Sequence, residues 1–256
     1  MKIALISDIH EDYVSLMQAA AIIEQQKCDA VVCLGDIVGF SVPYYDYLNT
    51  RNANACINWV KQNCKYVIAG NHDLFAVRKI PRSKVRHFKF PDNWYQLPFD
   101  ERQAIAKEKL WLYEEDELSA LLTHENETYI NQLPEIIFED TSTCKSLFSH
   151  FIYPDLTGSY REFVYSYKDI VKHLKFLKDN NCTLSFVGHM HVDGCFKISG
   201  NEIIKCAMGK KVALSNLDWV SIPAISSSRV RNGFVIWDTK NQTIEPVSIS
   251  KRFKLI

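Results

Sequence analysis

Aspartate, histidine and asparagine recur in five short clusters: Asp8-Ile9-His10, Gly35-Asp36, Gly70-Asn71-His72-Asp73, Ser149-His150 and Gly188-His189-Met190-His191. Carboxylates, amides and imidazoles of this kind ligate divalent metals. Asp8, His10, Asp36, Asn71, His150, His189 and His191 together supply enough donors for two ions, provided one carboxylate is shared. Asp36 is the natural bridge, because it is the lone carboxylate of the second cluster. Two metals roughly 3.5–4 Å apart can hold a hydroxide and clamp phosphate oxygens, which is what hydrolysis of a phosphoester at neutral pH needs. His72 is left over beside Asn71. Neighbouring side chains on extended backbone point in opposite directions, so His72 is placed to face a leaving group while Asn71 faces a metal, unless a loop relaxes the alternation.

These clusters need a scaffold that brings them together. Each follows an apolar run that reads as a strand: Lys2–Ser7, Ala30–Leu34, Tyr66–Ala69, Cys144–Ser149 and Leu184–Val187. Continuous apolar runs of this length fit strands buried on both faces, and strand ends of an open sheet are where sites are usually built. A helix is expected from about Tyr13 to Gln26, with Leu16, Ala20 and Ile23 at helical spacing and Asp12 as its cap. Strand, helix, strand at this spacing predicts parallel pairing through a crossover. Gly35, Gly70 and Gly188 fit places where backbone approaches ions or phosphate closely.

The series D-x-H, G-D, G-N-H-D, H, G-H-x-H resembles the calcineurin-like metallophosphoesterase superfamily. The local text Gly35-Asp36-Ile37-Val38-Gly39 and Ala69-Gly70-Asn71-His72-Asp73 is most similar to its small, stand-alone bacterial-type phosphoesterases. The likeness runs from Met1 to about Gly200, the middle insertion apart. It implies an α/β fold of four layers, αββα, with two mixed β-sheets flanked by helices. It also implies one metal held by Asp8, His10, Asp36 and His191 and a second by Asp36, Asn71, His150 and His189. His72 matches the family's catalytic histidine. Three departures stand out. Relatives that act on proteins often read G-D-x-x-D and carry an arginine before G-N-H, whereas here Gly39 and Ala69 occupy those positions. His150 is followed by Phe151, without the glycine many relatives carry.

Other histidines lack such support. His173 lies in a helix expected over Tyr167–Lys178 beside the apolar stripe Ile170, Val171, Leu174 and Leu177, and reads as a surface residue. His124 reads as structural, near a helix start. Asp73 is either a partner of the site or a turn residue, with the turn reading slightly favoured. The stretch at about 74–132 reads as a mainly helical insertion or lid. It opens with a basic run (Arg78, Lys79, Arg82, Lys84, Arg86, His87 and Lys89), which is either a solvated face or an attraction for an anionic substrate. Trp94, Tyr95, Trp111 and Tyr113 are either the core of that lid or stacking surfaces. Glu114–Glu117 then reverses the charge, against a long nucleic-acid track.

The 256 residues are 47% hydrophobic with zero net charge and a pI near 7.1, consistent with one domain over 1–256 and no global field toward nucleic acid or membrane. The N-terminal apolar run reaches Asp8 too soon for a signal peptide or span. Eight cysteines without C-x-x-C spacing point to free thiols in a reducing cytoplasm. Beyond Gly194 the chain turns to strands, with a hairpin around Gly200-Asn201. The expected activity is a dimetal phosphodiesterase or nucleotide phosphoesterase acting on a small phosphoester or nucleotide. Its cofactors would be two divalent ions, manganese first, with Fe, Zn, Co or Ni also accepted by such donors. A non-catalytic metal-binding scaffold and a nuclease are the alternatives. The oligomeric state is not written in the sequence.

Overall fold

In the computed structural model, which describes residues 1–249, two six-stranded mixed sheets lie face to face. The first runs in spatial order β11 (Val212–Ala213), β14 (Thr243–Ser248), β13 (Gly233–Asp238), β1 (Lys2–Ile6), β2 (Ala30–Cys33) and β4 (Tyr66–Val67). The second runs β10 (Glu202–Cys206), β9 (Cys195–Ser199), β12 (Asp218–Ser221), β8 (Leu184–Val187), β7 (Lys145–Ser149) and β6 (Ile136–Asp140). Two short strands, β3 (Phe40–Ser41) and β5 (Glu117–Leu118), pair apart from both. The helices are α1 (Tyr13–Gln25), α2 (Ala53–Asn63), α3 (Asn71–Ala76), α4 (Phe99–Ala106), α5 (His124–Gln132) and α6 (Tyr167–Asp179).

Alternation along the strands builds the layers. In β1, Ala4 and Ile6 join a cluster with Leu16 and Ile23 of α1, Ile57 and Val60 of α2 and Ile130 of α5. Ile3 and Leu5 point the other way and meet Phe148, Phe186, Val220 and Trp237 between the sheets. A third cluster packs Ile170, Leu174 and Leu177 of α6 on the outer face of the second sheet. The result is helix, sheet, sheet, helix, with strands apolar on both faces. Each fully buried aliphatic side chain such as Leu5 contributes about 1.5–3 kcal/mol.

β1, β2 and β4 are parallel, as are β7, β8 and β12, so the carboxyl ends of the motif-bearing strands gather at one edge. The expected helix after β1 forms, capped by Asp12, whose carboxylate accepts the Ser15 N–H at 2.9 Å. The hairpin around Gly200-Asn201 also forms, as β9 and β10.

Two expectations change. His173 is fully buried, because Ile170, His173, Leu174 and Leu177 form the inward stripe of α6, while Val171 is 47% exposed. Its Nδ1 accepts the Tyr153 N–H at 2.9 Å and its Nε2 meets Ser185 Oγ at 2.8 Å. The stretch 74–132 holds α4, α5 and the end of α3 between long irregular segments. It is therefore not mainly helical. It has its own small core, in which Val85, Trp94, Ala106 and Leu110 pack with Phe88, Phe90 and Tyr95.

Candidate metal centre

Five loops converge where the two sheets meet. The loop after β1 lies on the loop after β2: Asp8 N–H donates to Gly35 O, and both Ile9 and His10 N–H donate to Asp36 O. The loop after β8 crosses from the other sheet, and His189 N–H donates to the Asp8 carboxylate at 3.1 Å. Gly70 opens α3 against Asp36; a Cβ there would lie 2.2 Å from Asp36 Oδ1, so only glycine permits the approach. Asp36 Oδ1 in turn accepts His72 N–H at 2.9 Å.

The backbone is held in an unfavourable form at this point. Asp8, His10, Asp36, His189 and His191 all have left-handed φ, between 45° and 64°. Such conformations cost of order 1–3 kcal/mol each for non-glycine residues and cluster at functional sites.

All seven donors and His72 come together. Asp8, His10 and His191 form one group whose ligand atoms lie within 4.8 Å of one another, and Asp36, His150 and His189 form another. Asp36 also groups with His10 and His72, which places it between the two sets. Asp36 Oδ2 is 3.0 Å from His150 Nε2 and 3.8 Å from His10 Nε2. Asn71 Oδ1 lies 3.1 Å from His189 Nδ1. The fit to cations is tested by the buried ring nitrogens: His150 Nε2 faces only the Asp36 carboxylate, and His189 Nε2 is buried with no hydrogen-bond partner among the described residues. Buried polar atoms are rarely left so. The other ring nitrogens are anchored, His150 Nδ1 on Leu34 O at 2.6 Å and His10 Nδ1 on Gly39 O at 2.8 Å, the second layer of contacts that metal-binding imidazoles use.

Burial opposes charge on Asp8 and Asp36. The surrounding imidazoles, His191 and His150 for Asp8 and His150 and His72 for Asp36, outweigh it and hold both carboxyls well below the usual range. Burial pushes His10 and His189 down to about 3, aided by the neighbouring imidazoles of His72 and His150 respectively. For His72, burial lowers the pKa, but the Glu117 and Asp36 carboxylates prevail and raise it to about 9.

The sequence profile of the calcineurin-like phosphoesterases matches residues 1–193, which span every one of these clusters. The chain belongs to that family. Among solved structures, it is similar to a metallophosphoesterase from Sphaerobacter thermophilus, with 18% identity, 98% of this chain and 89% of that one covered, and a TM-score of 0.67. A hypothetical protein from Pyrococcus horikoshii aligns with a TM-score of 0.61 at 15% identity, covering 99% of this chain and 90% of that one. At these identities the likeness is one of fold. An uncharacterized protein of Methanocaldococcus jannaschii is 26% identical over 268 residues, 98% of this chain and 88% of its own.

Against the family pattern, the bare His150-Phe151 junction is accommodated by a loop in which Phe151 is buried with its ring 4.6 Å from that of His189. Asp73, read as a turn residue, is buried. Its carboxylate accepts N–H groups of Gly70, Ile37 and Val38, tying the third loop to the second. The sequence did not single out Tyr45, whose ring lies 5.2 Å from that of His10, or Phe163, stacked 6.1 Å from that of His189. Neither belongs to a motif. Tyr113, left open between core and stacking surface, instead meets the site: its hydroxyl lies 2.5 Å from Asn71 Nδ2. Ser226 and Ile225 reach the first loop through N–H donation to Asp8 O and Ser7 O.

Proposed function

We propose that this phosphoesterase is a dimetal hydrolase of phosphodiesters or nucleotides. In this reading Asp8, His10, Asp36 and His191 hold one divalent ion, and Asp36, Asn71, His150 and His189 hold the other. The observation that carries it is the convergence of Asp8, His10 and His191 and of Asp36, His150 and His189 into two groups whose ligand atoms each lie within 4.8 Å of one another, around carboxylates kept ionised. When bound, the ions would supply a nucleophile drawn from water and relieve charge on the phosphoryl oxygens. The protein's own part is positional. Backbone carbonyls of Leu34 and Gly39 fix the rings of His150 and His10, Asp73 locks two loops together, and His72 stands at the edge of the cluster to protonate the leaving group or stabilise its charge.

The preference for diesters or nucleotides rests on two features. Gly39 and Ala69 leave out the aspartate and arginine that protein-directed relatives use, so a dianionic monoester lacks a bidentate clamp. An aromatic strip also leads away from His189: Phe163, then Trp111 at 5.9 Å and Tyr165 at 6.4 Å, with Tyr165 82% exposed. Such faces suit a nucleobase. The basic run offers less, since Arg86 pairs with Glu162 and Lys79 donates to Asn131 O.

The test is metal analysis of protein purified without added metal, followed by turnover of bis-p-nitrophenyl phosphate and nucleotide diesters. Chelation should abolish turnover and Mn²⁺ restore it. Asp36→Asn should lose more metal than Asp8→Asn, because Asp36 serves both ions. Full activity in excess chelator with no metal detected would overturn the reading.

A further inference from the structure

The third motif supplies His72, but nothing in the five motifs orients it. The position four residues into the second motif, where an aspartate would serve, is Gly39. Its φ is +101°, and a Cβ there would lie 2.6 Å from both Cβ and Nδ1 of His72. The ring lies so close against that backbone that no side chain fits between them. The Nδ1 atom is nevertheless engaged. It lies 2.5 Å from Glu117 Oε2, and the Glu117 side chain is 4% exposed. Glu117 comes from the insertion. It is held by pairing of β5 with β3, Ser41 opposite Glu117 and Phe40 opposite Leu118, just after the second motif. The approach is closed by Val42 N–H donating to Asp116 O and by Asp116 and Glu117 N–H donating to Tyr113 O.

We infer that Glu117 is the positioning residue of His72, and that the insertion supplies from outside the motifs what Gly39 withholds. A carboxylate on Nδ1 fixes the ring and its tautomer and leaves Nε2 for the reacting centre. The same turn serves the neighbouring residue. Tyr113 OH lies 2.5 Å from Asn71 Nδ2, which turns the amide so that Oδ1 faces His189, and the Tyr113 ring lies 4.3 Å from that of His72. One turn of the insertion therefore sets both side chains of the Asn71-His72 pair. This assignment rests on the reading of His72 as the group that assists the leaving group.

The experiment is a double-mutant cycle on the intact chain: wild type, Glu117→Gln, His72→Ala and the double variant. Metal stoichiometry is measured beside kcat on a nucleoside diester and on bis-p-nitrophenyl phosphate. Glu117→Gln keeps the shape and removes the charge. It should keep both metals and lower kcat about 10–100-fold on the nucleoside leaving group, less on p-nitrophenolate, with KM little changed. In the His72→Ala background it should change kcat by less than about twofold, since residues acting as a unit are not additive. Equal losses in both backgrounds, or loss of metal from Glu117→Gln, would overturn the assignment. An independent reading comes from the imidazole N–H resonances of ¹⁵N-labelled, zinc-loaded protein. A downfield Nδ1–H proton absent in His72→Ala should move upfield in Glu117→Gln. An unchanged resonance refutes the contact. No turnover by any form, wild type included, refutes the phosphoesterase reading, while the resonance still decides whether Glu117 holds His72.

Discussion

Replacing Gly70 by alanine tests whether the site depends on the closeness of its loops. Gly70 has φ −98° and ψ −177°, a conformation any residue adopts, so the change adds no backbone strain. Its effect is steric. The new methyl would lie 2.2 Å from Asp36 Oδ1 and 2.7 Å from Asp36 N. Because the second atom is backbone, rotating the carboxylate does not relieve the overlap, and the two loops must part by about 1 Å. Overpacking of this kind costs about 1–3 kcal/mol of stability. The catalytic loss should be larger, since a misplacement of about 1 Å can reduce rate on the order of 10²-fold. Asp36 would also lose the His72 N–H, now 2.9 Å away. The assay pairs thermal unfolding with metal content and kcat on bis-p-nitrophenyl phosphate. Gly200→Ala is the control: among the described residues nothing lies within 4 Å of its added Cβ, although φ there is +61°. It should cost about 1 kcal/mol through that φ and leave activity alone. A Gly70→Ala protein with full metal content and wild-type kcat would refute the argument that Asp36 is set by this contact.

Other expectations follow from the same geometry. His72→Ala should keep both metals and lose on the order of 10²–10⁴-fold in kcat on a nucleoside leaving group, whereas His191→Ala should lose metal along with rate; elemental analysis separates them. Phe163→Ala should raise KM for a nucleotide diester more than for bis-p-nitrophenyl phosphate; equal shifts would remove the aromatic strip from recognition. Diesters should be turned over faster than phosphoserine peptides, and the reverse order in a substrate panel would refute the argument from Gly39 and Ala69. Burial holds His173 neutral, with a pKa of about 3 against an ordinary value of 6.5. The unfolded chain therefore binds the proton first, and this group's effect is to lower stability as pH falls below 6.5, down to about 3. Between pH 6.5 and 5 that amounts to about 2 kcal/mol. Urea unfolding of wild type against His173→Gln should show a shallower acid dependence in the variant, and parallel curves would refute it.

The candidate ligand set was legible because each donor lies within four residues of the end of an apolar strand, and strand ends are a local signal. Glu117 and Tyr113 were not, because their partners His72 and Asn71 lie 45 and 42 residues away and the intervening chain has no period. Within the Glu114–Glu117 run, nothing in the sequence sets the one buried carboxylate apart from its neighbours, since the pairing of β5 with β3 alone turns it inward. His173 was different. Its place at the i+3 position between Ile170 and Leu174 is the signal for an inward residue, whereas the polarity of an imidazole points outward, and in the structure spacing prevails. Asp73 was ambiguous because its one local partner is the Gly70 N–H and the partners that tie it to the second loop sit 35 and 36 residues earlier.

The pairing of β1 has a consequence for the order in which the molecule is completed. Lys2 lies opposite Asp238 and Leu5 opposite Val235, and the carbonyls of Ser7 and Asp8 are taken by Ile225 and Ser226. The strand that delivers Asp8 and His10 is thus clasped by a strand synthesised long after it. Contacts so distant in sequence close late and slowly. Asp8 and His10 therefore reach their left-handed native backbone only once residues 225–238 have been made. Assembly of the full constellation is then a late event of folding, and a chain halted before residue 225 would carry every candidate ligand and still lack the clasp that shapes the first loop.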